Sequence, residues 1–265
     1  MTDRIRTAIV TGATGAIGQA IAEGIAKLPD YSLVAVGRDP VKVERLVSRL
    51  SSTHRGARVR GEVVDVSSPR SISELAQRWE GPLNVLINNA AVAPARREQT
   101  EDGIERVFAT NVLGYLWMTK ALEPALRVEK GARVVNVASY WAGDLDIDDL
   151  EFKRRRYDND LAYRQSKQAN RMLTVAWANR LAPSGITVNC CHPGDVNSKL
   201  SNDLGFGGST RPADGASTPL WLATSKEAEG QTGRYYEHGH LTTCRFGSDT
   251  KAVERLASVC DGYLA

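Results

Sequence analysis

Tyr163 and Lys167 stand four residues apart in Tyr163-Arg164-Gln165-Ser166-Lys167, inside a stretch with helical character that runs from Asn159 to Leu181. That spacing puts both side chains on one helix face. A phenol with a pKa near 10 exchanges protons poorly at neutral pH, but a cation a few ångströms away favours the phenolate and brings that value down. With eight tyrosines in the chain such a pair arises easily by chance, so its weight depends on what accompanies it. Ser139 ends one apolar run, Asn88-Asn89-Ala90-Ala91 ends another, Asn111 falls within a second helical stretch, and Pro193-Gly194 follows a third apolar run. Each has a bland reading: Ser139 as a turn residue, Asn111 as a breaker of helix bonds, Lys167 as a solvated charge. Together they suggest a hydroxyl, a phenol and an ammonium gathered for acid/base work.

A second group lies near the start. Thr11-Gly12-Ala13-Thr14-Gly15-Ala16-Ile17-Gly18 follows a strand-like run and opens a helical one. Glycines there allow a tight turn and let backbone N–H groups approach a pyrophosphate, which the positive end of the helix favours. The next apolar run ends Gly37-Arg38-Asp39. A site for NAD places an acidic side chain at this strand end to hold the ribose 2′-hydroxyl, whereas a 2′-phosphate calls for a cation. Gly37 takes the acidic position and Arg38 offers a guanidinium fork, which points to NADP(H). Asp39 works against that unless it caps the helix beginning at Pro40.

The elements that must position these groups are legible as alternating runs. Strand-like segments are Thr7 to Val10, Leu33 to Val36, Val59 to Val64, Leu83 to Ile87, Arg133 to Val137 and Ile186 to Cys190. Their near-continuous Val/Ile/Leu content suits strands buried on both faces. Helical stretches lie between them at Gly15 to Lys27, Pro40 to Leu50, Pro69 to Trp79, Glu101 to Leu126 and Asn159 to Leu181. Strand alternating with helix predicts a doubly wound α/β fold with a parallel sheet and ligands beyond the carboxyl ends of its strands. Two segments break the rhythm, a charged one near 144–160 and a Gly-rich one near 195–215, and both are expected at the mouth of the site.

With these residues in this order the sequence resembles the short-chain dehydrogenase/reductase family, over nearly the whole chain. The glycine motif matches at Thr11 to Gly18, with Ala16 where a glycine is usual, and Asn88 to Ala91 matches an Asn-Asn-Ala-Gly motif with Ala91 for Gly. The resemblance implies a Rossmann-type doubly wound parallel sheet in a single domain, residues 1–265, and hydride transfer between a nicotinamide and a carbonyl or alcohol carbon. It implies a catalytic tetrad of Asn111, Ser139, Tyr163 and Lys167. Tyr163 would protonate the carbonyl oxygen, Ser139 would hydrogen-bond it, Lys167 would hold the nicotinamide ribose, and Asn111 would hold a relay water. Cofactor contacts are implied at Gly12, Thr14, Gly15, Ala16, Ile17, Gly18, Arg38, Asp65, Val66, Asn89, Ala90, Pro193, Gly194, Val196 and Ser198, besides Tyr163 and Lys167. Ser139 and Tyr163 lie 24 residues apart, a long spacing for the family. With the Gly37-Arg38-Asp39 strand end and His192-Pro193-Gly194, that insertion is similar to the retinol-dehydrogenase-like branch and related NADP-dependent carbonyl reductases. Members of the family often pair, so a homodimer or homotetramer is open.

Composition excludes other classes. With 42% hydrophobic and 25% charged residues the chain is an ordinary globular one, neither disordered nor a disulfide scaffold. A formal charge of +3 is too small for a nucleic-acid binder. The start at Met1-Thr2-Asp3-Arg4 has no signal-peptide apolar stretch and no apolar run would span a bilayer, so a cytoplasmic protein without a membrane span is expected. Cys190, Cys191, Cys244 and Cys260 then read as reduced thiols. His238, His240 and Cys244 could suggest a metal, but tetrad chemistry needs none. The basic run Lys153 to Arg156 reads as a solvated lobe neutralised by its acidic neighbours. Asp195 is expected to disfavour acidic substrates, and Trp141, Phe206 and Trp221 are candidate pocket walls. The partner implied is a small, hydrophobic carbonyl or alcohol; the alternative is a non-catalytic NADP(H)-binding sensor or scaffold, which would tend to lose the Tyr163/Lys167 pair.

Overall fold

The apolar runs form strands at the predicted places. In a computed structural model describing residues 5–263, these are β1 (Arg6–Thr11), β2 (Tyr31–Gly37), β3 (Arg58–Val63), β4 (Val85–Asn88), β5 (Arg133–Val137) and β6 (Thr187–His192). The opening residues Met1 to Arg4 lie outside the described range. Two further strands, β7 (Tyr235–Glu237) and β8 (His240–Thr242), complete a sheet of order β3-β2-β1-β4-β5-β6-β7-β8 among the described residues. All neighbours run parallel except β7 and β8. That antiparallel edge pair adds to the parallel sheet expected. Strands of three residues are too short to carry a readable period. Their turn, His238-Gly239, has φ of 50° and 77°, the geometry of a two-residue hairpin loop.

The helices are α1 (Ala16–Ala26), α2 (Pro40–Thr53), α3 (Pro69–Gln77), α4 (Arg106–Phe108), α5 (Gly114–Ala121), α6 (Glu123–Leu126), α7 (Asn159–Leu181), α8 (Lys199–Asp203), α9 (Pro212–Gly215), α10 (Ser217–Thr224) and α11 (Thr250–Asp261). Successive residues of β1 feed opposite faces of the sheet. Ile9 joins a core built with α3, α5, α7 and α11, while Ala8 and Val10 join one built with α1, α2 and α10. β3 departs from the expectation of strands buried on both faces: as an edge strand it leaves most of its residues exposed or half-exposed. Among the described residues no helix is long and apolar enough to cross a membrane.

The predicted helix from Glu101 to Leu126 is broken. Its first residues turn at Gly103, φ 76°, and the helix begins only after Glu105. There the Glu105 carboxylate accepts from the N–H groups of Val107 (2.8 Å) and Phe108 (2.7 Å). A single π turn, Ala109–Leu113, then separates α4 from α5 and carries Asn111 at its centre. Such widened turns occur mostly singly and often at functional sites.

The charged insertion is knit to itself and to the flank of α7. The Asp149 carboxylate accepts from the N–H groups of Lys153, Arg154 and Arg155, and the acidic half pairs with the basic half through Lys153–Glu151 at 2.8 Å and Arg155–Asp149 at 3.3 Å. Gln165 donates to the Leu150 carbonyl at 2.9 Å and receives Arg155, while the Tyr263 hydroxyl, just beyond α11, donates to Glu151 at 2.8 Å. Two residues on from Tyr163 in a helix is about 200° round its axis, so through Gln165 this lobe braces the side of α7 opposite the phenol.

Burial pushes the Glu105 carboxyl from 4.5 up to about 7. Between those values the folded protein holds a proton that the unfolded chain has released, so this group's contribution to stability falls as pH rises from about 4.5 to 7. Glu105→Gln removes the titration and keeps an acceptor. We expect it to flatten the decline in stability between pH 5 and 8, on the order of 2 kcal/mol; thermal melts across that range with an unchanged slope would exclude the assignment.

Candidate active site

The side chains expected to do chemistry converge at the carboxyl end of β5. Lys167 is buried, and its Nζ donates to the carbonyl of Val137, the last residue of β5, at 2.9 Å. The ammonium stands 5.5 Å from the centre of the Tyr163 ring. The Ser139 hydroxyl is a hydrogen-bond partner of Tyr163 and also accepts from the Trp141 N–H at 3.0 Å. Asn111 is fully buried. Its amide donates to the Val92 carbonyl (3.0 Å) and to Ser166 Oγ (3.1 Å) while accepting from the Val92 N–H (2.8 Å). Both N–H groups are therefore committed. Any relay water at this point would rest on the widened backbone of the π turn and not on the amide.

Burial acts on the pair in opposite directions. It pushes the Tyr163 phenol up to about 12 and pulls the Lys167 ammonium down to about 7. Desolvation penalises the charged form of each. The downward pull on the phenol comes from the Ser139 hydroxyl. Lys167 helps less than its charge suggests, because near pH 7 it is only about half protonated.

One participant was missed in the sequence. The Tyr115 ring also lies beside Lys167, 5.6 Å from the ammonium, and its hydroxyl donates to the same Val137 carbonyl at 3.2 Å. Two phenol rings thus adjoin a buried cation, a favourable arrangement for a desolvated ammonium. The available signal was an aromatic residue four positions after Asn111.

At the other end of the crevice, glycine positions are set by contact. A Cβ on Gly18 would lie 2.1 Å from the Gly12 carbonyl oxygen, and one on Gly12 would lie 2.7 Å from Ala90 Cα. Gly15 has no such neighbour, its nearest atom being the Gly12 oxygen at 3.4 Å. The turn is held from the side by Asn89, whose Nδ2 donates to the carbonyls of Thr11 (2.9 Å) and Gly12 (3.3 Å). Thr11 Oγ1 accepts from the N–H groups of Asn89 and Ala90. Asn89 and Ala90 therefore brace the glycine turn. Helices α2, α3, α7 and α11 each begin on a side chain that caps them, but α1 begins at Gly15 with no such cap. Its first N–H groups, near Ala16 and Ile17, are left for an anion. Asp65 Oδ1 accepts from the N–H and hydroxyl of Ser67, and Val66 beside it is buried against Gly114.

The segment after β6 folds back on itself. Gly194 has φ 90°, and the Asp195 carbonyl accepts from the N–H groups of Ser209 (2.8 Å) and Thr210 (2.9 Å). Val196 is buried and close-packed against Gly208 and Gly215, and the carbonyl of Pro193 also lies near Gly215. The Ser198 hydroxyl, expected at a carboxamide, caps α8 by accepting from the Ser201 N–H at 3.1 Å. Trp221 packs on Tyr236 at 5.3 Å beside the core, which leaves Trp141 and Phe206 as wall candidates.

Comparison with known proteins agrees with this geometry. The family model described as short chain dehydrogenase matches residues 6–205. The chain belongs to the short-chain dehydrogenase family. The mouse (Mus musculus) protein named Retinol dehydrogenase 13 is 33% identical over 252 residues, which are 88% of this chain and 75% of that one, and places the enzyme in the retinol-dehydrogenase-like branch. A solved structure of an uncharacterised protein from Mycobacterium paratuberculosis superposes with a TM-score of 0.83 at 26% identity, covering 98% of this chain and 94% of its own. The Pseudomonas aeruginosa RhlG/NADP active-site complex superposes with a TM-score of 0.70 at 25% identity, covering 88% and 94%. The chain is thus a hydride-transfer oxidoreductase acting on alcohol or carbonyl groups.

In this dehydrogenase the end of β2 settles the role of Asp39. Its carboxylate accepts from the Lys42 N–H at 3.1 Å as the cap of α2, so it is engaged with the helix. Arg38 is exposed and forms no ion pair among the described residues. A Cβ at Gly37 would meet Val43 at 2.9 Å and Thr14 at 3.1 Å, which leaves little room for an acidic side chain.

The contrast between glycines can be tested. Gly18→Ala forces the turn apart and is expected to lower the melting temperature by several degrees, about 2–3 kcal/mol. Gly15→Ala should melt within about 2 °C of wild type yet weaken dinucleotide binding at least roughly tenfold by calorimetry. Equal effects on stability would refute the distinction.

Proposed function

We propose that the enzyme uses NADP(H) to interconvert a carbonyl and an alcohol on a small, hydrophobic molecule, with Tyr163 as acid/base. The observation that carries this reading is the convergence of Tyr163, Ser139, Lys167 and Asn111 at the end of β5. Nicotinamide, when bound, supplies or accepts the hydride. Ser139 has one lone pair engaged by the Trp141 N–H and its hydroxyl bonded to Tyr163, and its proton would turn to the substrate oxygen when substrate enters. That hydrogen bond strengthens as negative charge develops there. Tyr163 gives its proton to the same oxygen in reduction and takes it back in oxidation. Lys167, pinned by Val137, would hold the nicotinamide ribose and stabilise the phenolate as it forms. Asn111 fixes the π turn against Val92 and Ser166, keeping that backbone open for proton return.

The exposed guanidinium of Arg38, without an ion pair among the described residues, the engagement of Asp39 in a cap and the tight surroundings of Gly37 support NADP(H) over NAD(H). The uncapped start of α1 and the open side of Gly15 would receive the pyrophosphate, with Asp65 and Val66 at the adenine. The NADP complex named for the Pseudomonas protein is consistent with this choice.

Tyr163→Phe is expected to lower kcat by about a thousandfold or more while the NADPH dissociation constant stays within about twofold. Parallel loss of binding and turnover would remove Tyr163 from its role. Arg38→Ala should reduce the ratio of kcat/KM for NADPH over NADH by roughly 10- to 100-fold; a wild-type enzyme indifferent to the two cofactors, or an unchanged ratio in the variant, contradicts the cofactor assignment.

A further inference from the structure

Three large aromatic side chains stand exposed around Ser139 and the segment after Gly194. Tyr140, Trp141 and Phe206 keep 42%, 40% and 47% of their surfaces accessible, where rings of this size are usually buried. Trp141 and Phe206 come from different segments and face each other nearly in parallel, 11° between planes. Their centres are 6.0 Å apart, toward the long end of the range for aromatic pairs. They hold each other loosely and lose little on parting.

The clamp is tied to the chemistry at its base. The Trp141 N–H donates to the Ser139 hydroxyl, so the ring and the group that aims at the substrate oxygen share one short stretch of backbone. Tyr140 is fixed edge-on to the buried His192 ring, 4.6 Å between centres and 81° between planes. A planar guest restores face-to-face contact with either ring. A puckered aliphatic guest cannot.

Asp195 lies beside Tyr140 and within electrostatic reach of Tyr163. Its backbone carbonyl closes the 195–210 loop through Ser209 and Thr210, and its carboxylate pairs with the Tyr140 hydroxyl. One anion therefore already stands close to the reacting phenol, and a second in the same part-desolvated space would be repelled.

We infer that Trp141 and Phe206 part to clamp a flat, aromatic or conjugated ketone or aldehyde, and that Asp195 rejects substrates carrying a carboxylate. This rests on the carbonyl-reductase reading above and deepens it to a substrate class.

The test uses matched pairs with NADPH. Acetophenone is expected to exceed cyclohexyl methyl ketone in kcat/KM, and that ratio should fall about tenfold in Trp141→Leu or Phe206→Leu. Methyl 4-acetylbenzoate should exceed 4-acetylbenzoate at pH 7, and this ratio should fall about tenfold in Asp195→Asn. Ratios unchanged in both ring variants overturn the clamp, and an unchanged ester-to-acid ratio overturns the exclusion. Calorimetry on the NADPH-loaded protein separates this inference from the reading beneath it. Tighter binding of acetophenone that disappears in Trp141→Leu, without turnover, would keep the clamp and reject the reductase. Turnover of both ketones with no aromatic preference would do the reverse.

Discussion

The buried ammonium of Lys167 is the constraint around which the catalytic end is built. A charge removed from water is costly unless it is paired or solvated by the protein. Here the compensation is one carbonyl, that of Val137, and two ring faces, those of Tyr115 and Tyr163. Each comes from a different element: the end of β5, the helix after the π turn, and α7 itself. Displacing any of the three exposes or strands the charge. Burial pulls the ammonium down to about 7, which lessens that cost.

The same economy of contact governs the cofactor end, by shape and not by charge. Gly12 and Gly18 are glycines because backbone atoms lie where their Cβ atoms would be. Gly15 is crowded by nothing in the protein, and α1 alone among the long helices α1, α2, α3, α7 and α11 lacks a capping side chain. Asn89 ties this turn to the end of β4, which β5 borders in turn. The two ends of the site are therefore joined through the switch point of the sheet, where β1 and β4 lie side by side and the chain winds away in opposite directions.

Much of this was readable from residue types alone, and the failures have physical causes. The longer strands other than the exposed edge strand β3 are largely apolar and alternate with helices, and α7 runs from Asn159 to Leu181 as its pattern predicts. Tyr163 and Lys167 share a face because they belong to that unbroken helix. The region from Glu101 to Leu126 misleads because most residues from Val107 on are apolar, while the break is decided by a buried carboxylate cap and by a side-chain amide held through three hydrogen bonds. Strands β7 and β8 have three residues each, so only the His238-Gly239 turn could have announced them. α11 does carry a signal, with Val253, Leu256, Ala257 and Cys260 buried at helical spacing after an Asp249 cap. The role of Tyr115 depends on which way a helix faces after a π turn, and no fixed spacing supplies that.

Length beyond the sheet and its helices is spent in two different ways. The stretch 144–160 turns its acidic groups onto its own backbone N–H groups and buries Leu150 and Phe152, so it is committed to bracing α7 and meeting α11. The stretch after Gly194 commits little: Val196 anchors it, while Phe206 stays half-exposed against an equally exposed Trp141. A catalytic group must be over-determined by its neighbours, because small displacements cost much in rate. A surface that admits different molecules must give way. Lys167 and Asn111 are held by buried hydrogen bonds, whereas Trp141 and Phe206 meet in a single exposed ring contact. Under the proposed function, that difference in packing divides the part of the molecule that would fix the reaction from the part that would select what undergoes it.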